Sequence, residues 1–149
     1  MISVSHIGIC VSDLAKAMRF YCDGLGFKET IRYKIGSEAG PIMEIDGDIV
    51  LNSVMIRKDS LNIELLDFEA PKVRRADGRR SMTLTGLTHL SLLVDDVDAV
   101  AAKAVECGGI LVKHTRTKMD QGDFLYLTDP DGTRVELMRL NSGPVPTGA

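Results

Sequence analysis

One stretch of this chain occurs twice. His6-Ile7-Gly8-Ile9-Cys10-Val11-Ser12-Asp13-Leu14 is echoed by His89-Leu90-Ser91-Leu92-Leu93-Val94-Asp95-Asp96-Val97. In each copy a Val stands five residues after the His, an Asp seven after, and a Leu or Val eight after, and the copies lie 83 positions apart. A repeat of this kind constrains the fold more than any local propensity. Each copy opens one supersecondary unit, and units that cannot bury their apolar face alone pair with their own likeness.

The flanking sequence extends the repeat. Residues 2–11 alternate, with Val4, His6, Gly8 and Cys10 on one face and Ile7, Ile9 and Val11 on the other. That period of two predicts a strand whose faces are buried differently. Ser12-Asp13 offers helix N-cap chemistry. Residues 14–23 place Leu14, Ala17, Met18, Tyr21 and Cys22 at helical spacing, and Gly24-Leu25-Gly26 supplies a left-handed stop. Strands are expected at Phe27 to Ile35, within 42–56 with a break at Asp46-Gly47-Asp48, and at Leu61 to Phe68. Loops are expected at 36–41 and at Arg57 to Ser60. After the second copy the same order returns. Leu87 to Val94 reads as a strand, Asp95-Asp96 as a cap, Val97 to Cys107 as an alanine-rich helix and Gly108-Gly109 as its stop. Strands are expected at Ile110 to Thr115, Phe124 to Thr128 and Thr133 to Leu140, with a polar loop at Thr117 to Asp123. Asp129-Pro130-Asp131-Gly132 suits a type I hairpin turn.

Each half thus reads strand, helix, strand, strand, strand, an α+β class. The halves end alike, in Ile63-Glu64-Leu65-Leu66 and Val135-Glu136-Leu137-Met138, now offset by 72, so the second module is shorter in its middle strands. The domain reading is one domain over 1–149, with modules at 1–68 and 87–140, a linker at 69–86 and a flexible tail at 141–149. The linker holds five basic residues, one proline and two glycines. It suits either a solvated connector or a flap that contacts an anion.

Composition narrows the function classes. The chain has 149 residues, 44% hydrophobic and 26% charged, ordinary for a globular protein. A formal charge of −3 gives no reason to expect nucleic acid or an acidic membrane as partner. No apolar run approaches the roughly 18 residues of a membrane span, and no signal-peptide pattern is read at the start. Three cysteines, Cys10, Cys22 and Cys107, form no CxxC pair, which fits free thiols in a reducing cytoplasm.

The repeat places a histidine on the first strand and a glutamate on the last strand of each module: His6, Glu64, His89 and Glu136. Glutamate is almost never buried without a partner. One divalent cation would satisfy all four side chains. Imidazole suits Zn, Ni, Co and Fe(II), and carboxylates add affinity for Mn(II). Such a set leaves positions for water or substrate oxygens, as a catalytic site requires. Asn62 and Leu66 share the Glu64 face, Ser91 and Leu93 share that of His89, and Arg134 and Met138 share that of Glu136. Arg134, Asn62, Ser91 and Cys10 are the candidate substrate contacts. Arg134 suits an anionic substrate or a cross-strand ion pair. Glu44 suits a second base or a solvated edge residue.

These residues resemble the vicinal oxygen chelate superfamily, which includes glyoxalase I, methylmalonyl-CoA epimerase, extradiol dioxygenases, and fosfomycin and bleomycin resistance proteins. The resemblance spans residues 3–140. It rests most on H-I-G-I-C-V-S-D-L with R-F-Y-C-D-G-L-G-F, on H-L-S-L-L-V-D-D-V, and on F-L-Y-L-T-D-P-D-G-T-R-V-E-L-M. It implies paired βαβββ modules forming an open, mixed, barrel-like sheet around a metal held by His6, Glu64, His89 and Glu136. The quartet looks like that of bacterial glyoxalase I. Epimerases of the group usually have glutamine at the second position, and the dioxygenases and fosfomycin enzymes use two His and one Glu. The implied activity is that of a metal-dependent lyase or isomerase. It would stabilise an enediolate or enolate on a small carbonyl substrate, with Glu136 or Glu64 as general base. The alternatives are an Fe(II) dioxygenase acting on a catechol-like substrate and a binding protein that sequesters a drug or metabolite without chemistry. A homodimer is expected from the family and from open sheet edges.

Overall fold

Two aspartates start the two main helices. In the computed structural model, which describes residues 1–74 and 79–141, Asp13 Oδ1 accepts from the Lys16 N–H at 3.0 Å. Asp96 Oδ1 accepts from the N–H groups of Asp98 and Ala99 at 2.9 and 3.0 Å. Each carboxylate satisfies donors that a helix start leaves unpaired. The tail expected beyond Asn141 and linker residues 75–78 lie outside the described residues.

The chain divides into two compact units, Met1–Arg75 and Ala76–Ala149. In the first, β1 (Ile7–Val11) leads to α1 (Leu14–Met18) and then to β2 (Lys28–Ile35), α2 (Gly40–Met43), β3 (Val50–Lys58) and β4 (Leu61–Ala70). The sheet order is β1-β4-β3-β2. The first strand pairs in parallel with the last, and the other pairs are antiparallel. A parallel pair needs a crossover, and the helix provides it. Along β4 the period of two puts Ile63 and Leu65 in the core and Asn62, Glu64 and Leu66 on the opposite face.

The second unit repeats this plan. Its elements are β5 (Leu90–Leu93), α3 (Val97–Glu106), β6 (Ile110–Leu111), β7 (Thr117–Met119), β8 (Gly122–Thr128) and β9 (Arg134–Leu140). The order is β5-β9-β8-β6, with β7 also on β8, and β5 is parallel to β9. Val97, Ala101 and Ala104 are the buried stripe of α3. The two sheets are mixed, and the class is α+β.

Several local expectations are corrected. The helix expected over 14–23 is α-helical only to Met18. Residues Arg19–Gly24 form a wider π-turn, and Leu25 N donates to Phe20 O at 3.1 Å. Adjacent Phe20 and Tyr21 are both fully buried there, their rings edge-to-face at 4.9 Å. The loop at 36–41 is partly helical, and β3 begins only at Val50 and runs on to Lys58. Glu44 is therefore not on a strand; it caps α2 in a left-handed conformation and is exposed. The strand expected at Leu87 to Val94 is confined to Leu90–Leu93.

The strand expected at 110–115 breaks after Leu111 into a short 3₁₀ turn, and the polar loop at 117–123 instead contains β7. Together β6 and β7 cover β8 as β2 covers β3. Gly108 rather than Gly109 has the left-handed backbone, with φ +100°. The Asp129 carboxylate is fully buried in the Asp-Pro-Asp-Gly turn and accepts from the N–H groups of Asp131 and Thr133 at 2.9 and 2.8 Å.

Leu65→Ala is expected to cost about 2–5 kcal/mol in urea unfolding because it opens a cavity in a packed core. Asp96→Ala is expected to cost about 1 kcal/mol through loss of the α3 cap.

Candidate functional site

The parallel register decides which side chains meet. In the first unit Gly8 lies opposite Glu64, so His6, just before β1, reaches that carboxylate. His6 Nε2 is 3.1 Å from Glu64 Oε2, with side-chain exposures of 36% and 18%. The other ring nitrogen, Nδ1, is 3.0 Å from Ser5 Oγ. Ser53 Oγ donates to Glu64 Oε1 at 2.5 Å. Asn62 Nδ2 donates to the Ser5 carbonyl at 2.9 Å, tying the segment before His6 to β4.

The second unit builds the same pair. Ser91 lies opposite Glu136 across β5 and β9. His89 Nε2 is 3.7 Å from Glu136 Oε2, with exposures of 27% and 17%. His89 Nδ1 is 2.9 Å from Thr88 Oγ1, and Ser91 Oγ donates to Glu136 Oε2 at 2.6 Å. Tyr126 on β8 is the antiparallel partner of Glu136. Its ring lies edge-on to the His89 ring at 5.4 Å. Burial pushes the Tyr126 hydroxyl above its ordinary value of 10.0, the charge of Glu136 pushes the same way, and the Arg134 charge opposes them.

Among the described residues no group of three or more His, Cys, Asp or Glu side chains able to hold a metal ion is found; each unit supplies a His–Glu pair. The donor chemistry fits a divalent ion all the same. In both pairs Nε2 faces the carboxylate while Nδ1 is held by a hydroxyl from the preceding residue. Metal-binding imidazoles are commonly oriented through the second nitrogen in this way.

The remaining candidates have contacts of their own. Arg134 donates through Nη2 to the Arg80 carbonyl, and Arg80 itself donates to the carbonyls of Leu84, Thr85 and Leu87. Arg80 in the basic linker thus holds its own loop. Cys10 is exposed on β1 opposite Leu66, Cys22 is half-buried, Cys107 is buried, and none of the three is in a disulfide. Burial pushes the Cys22 thiol up, with Asp23 and Glu29 adding to it. A third charged group lies in the second unit, where Arg116 bridges Asp98 and the buried Asp123 through contacts of 2.6 and 2.5 Å. Those two carboxylates raise the Arg116 guanidinium further above its usual range.

Ser5, Thr88, Ser53 and Tyr126 are absent from the sequence-derived site. Ser5 and Thr88 carried a signal, since a hydroxyl residue precedes each repeated histidine. Ser53 and Tyr126 depend on strand register and had none.

The Glyoxalase/Bleomycin resistance protein/Dioxygenase superfamily model matches residues 3–137. The chain belongs to this superfamily. The protein YaeR of Escherichia coli (strain K12) is 35% identical over 138 residues, covering 90% of this chain and 93% of that one. A probable lactoylglutathione lyase of Synechocystis is 28% identical, covering 92% and 95%. Among solved structures, a glyoxalase family protein from Bacillus cereus superposes with TM-score 0.81 at 19% identity, covering 95% of this chain and 96% of its own. The genomically encoded fosfomycin resistance protein of Listeria monocytogenes superposes with TM-score 0.63 at 17% identity, covering 93% and 94%. The fold is thus that of the superfamily. Among the described residues no helix is long and apolar enough to cross a membrane.

The raised Tyr126 hydroxyl gives a direct check. Its folded value lies above its unfolded one, so its contribution to stability is present at neutral pH and is lost as pH rises through the folded value. Tyrosinate absorbance of wild type minus Tyr126→Phe is expected to titrate above pH 10. A midpoint at or below 10 contradicts the packing around Glu136.

Proposed function

We propose that this chain is a glyoxalase-like, divalent-metal-dependent lyase or isomerase acting on a small carbonyl substrate. The observation that carries the reading is the pair of matching His–Glu sets, His6 with Glu64 and His89 with Glu136, each with its imidazole oriented by a neighbouring hydroxyl. The relative of 28% identity described as a probable lactoylglutathione lyase supports it. In this reading the two pairs would supply the ligands of a divalent ion: Zn, Ni, Co, Mn or Fe(II). When bound, the metal supplies a Lewis acid toward adjacent substrate oxygens.

The chain's own residues do the rest. Glu64 or Glu136 accepts the proton as the substrate C–H bond breaks, the electron pair passing to the carbonyl to give an enolate or enediolate. The same carboxyl group returns the proton to the neighbouring carbon and ends as it began. Ser53 and Ser91 keep the two carboxylates facing their histidines. Asn62 fixes the backbone that carries His6. Cys10 and Ser91 stand on the same strand faces as the histidines, open to a substrate. Arg134, held at the Arg80 carbonyl, places a positive charge at the start of β9, where it suits an anionic group on the substrate.

Elemental analysis of the purified protein is expected to find a stoichiometric divalent metal. Glu64→Gln and Glu136→Gln are each expected to slow turnover of a 2-oxoaldehyde–thiol adduct by roughly 10²–10⁴-fold, the usual worth of a positioned acid–base group. Unchanged turnover in both variants sinks the proton-transfer role. We also propose a homodimer. Among the described residues β2 is an edge strand, and it exposes Ile31 and Tyr33, a surface that favours pairing. Light scattering is expected to give twice the 16.2 kDa of one chain.

A further inference from the structure

The basic linker leads into His89, and one of its side chains holds the approach to that histidine. Three carbonyls converge on the Arg80 guanidinium. Nη1 donates to Leu87 O at 2.6 Å, and Nη2 donates to Leu84 O at 3.1 Å and to Thr85 O. A guanidinium is a rigid, planar fork of N–H donors and suits such a cluster, whereas a lysine would bring a flexible point charge. Gly86 makes the room. Its φ is +119°, and a Cβ added there would stand 2.7 Å from Arg80 Nη2. The loop is also tied to the sheet, because Arg134 at the start of β9 donates through Nη2 to the Arg80 carbonyl.

His89 stands just before β5, whose register with β9 begins at Leu90. The Leu87 carbonyl belongs to the same planar peptide group as the Thr88 N–H. Fixing that carbonyl sets the plane from which Thr88 departs, and Thr88 Oγ1 is the hydroxyl 2.9 Å from His89 Nδ1. The first unit meets the same need with another residue: Asn62 Nδ2 holds the Ser5 carbonyl, one residue before His6.

We propose that Arg80 is a positioning residue that sets the orientation of His89 through the Leu87 carbonyl and Thr88. The inference rests on the proposed reading of His89 as a metal ligand, and it gives part of the basic linker a role at that site.

The test titrates metal-free, full-length protein with Co(II), whose visible absorption reports its ligands. Arg80→Met is expected to bind cobalt about 10- to 100-fold more weakly, the range for groups that orient a metal ligand, with a shifted visible band. Gly86→Ala keeps Arg80 but crowds its guanidinium, and it is expected to shift the band in the same way. The double variant is expected to lose no more than the worse single one, because both changes break one contact set. Arg79→Met removes an equal charge one residue earlier and is expected to bind as wild type does. An equal loss there assigns the effect to charge and overturns the proposal, and so does a wild-type affinity and band in Arg80→Met. Imidazole nitrogen NMR of the metal-free proteins, recorded below the onset of unfolding, reads the His89 ring without cobalt. Signals that move or split in both Arg80→Met and Gly86→Ala support the proposal, and unchanged signals overturn it. If wild type takes up no cobalt, the ligand reading fails, and the NMR alone still decides the role of Arg80.

Discussion

Everything in each unit hangs on the parallel pairing of its first strand with its last. Ile7 lies beside Ile63, and Leu90 lies beside Val135, although much of a module separates them in sequence. The helix between them makes that pairing sterically accessible, and its aspartate cap makes the helix start where the strand ends. The pairing then does two jobs through one periodicity. Residues pointing inward, such as Ile63 and Leu65, exclude water and supply the burial that holds the unit together. The residues between them point the other way, and Glu64 is among them. The hydrophobic drive that fixes the strand therefore fixes the carboxylate as well.

The polar groups on the opposite face form a layer of short contacts. Each histidine ring has a hydroxyl on one nitrogen and a carboxylate near the other. The carboxylates are half-buried but the histidines are exposed, so each contact is worth little more than a solvated ion pair. The Arg116 bridge works on the other side of the same problem. It ties the first turn of α3 to the buried Asp123 at the start of β8 and so braces the helix against the sheet that carries Tyr126.

Much of this was legible in the sequence because it was written twice. The repeated histidines, the capping aspartates and the alternation around each glutamate are local patterns with a strong physical cause, and they led to the right fold. What was not legible depended on tertiary context. Thr117-Lys118-Met119 forms an edge strand exposed at all three residues, so its side chains give no alternation to read. The π-turn at Arg19–Gly24 answers to the burial of two adjacent aromatic rings rather than to helix propensity. Tyr126 and Ser53 became visible only when antiparallel register placed them around a glutamate. Arg134 shows the reverse case, a charged residue whose place is set by a loop carbonyl far from it in sequence.

The two modules differ in length, and the surplus in the first lies largely between β2 and β3, in the helical excursion that includes α2. That excursion is outside the strand register. Residues can be gained or lost there without turning Glu64, whereas one residue inserted into β4 before it would exchange the carboxylate for a leucine or an isoleucine and aim it into the core. The architecture thus separates a part of the chain that is free to vary from a part that is locked in phase. New surface can accumulate in the former while the side chains along β4 keep their aim.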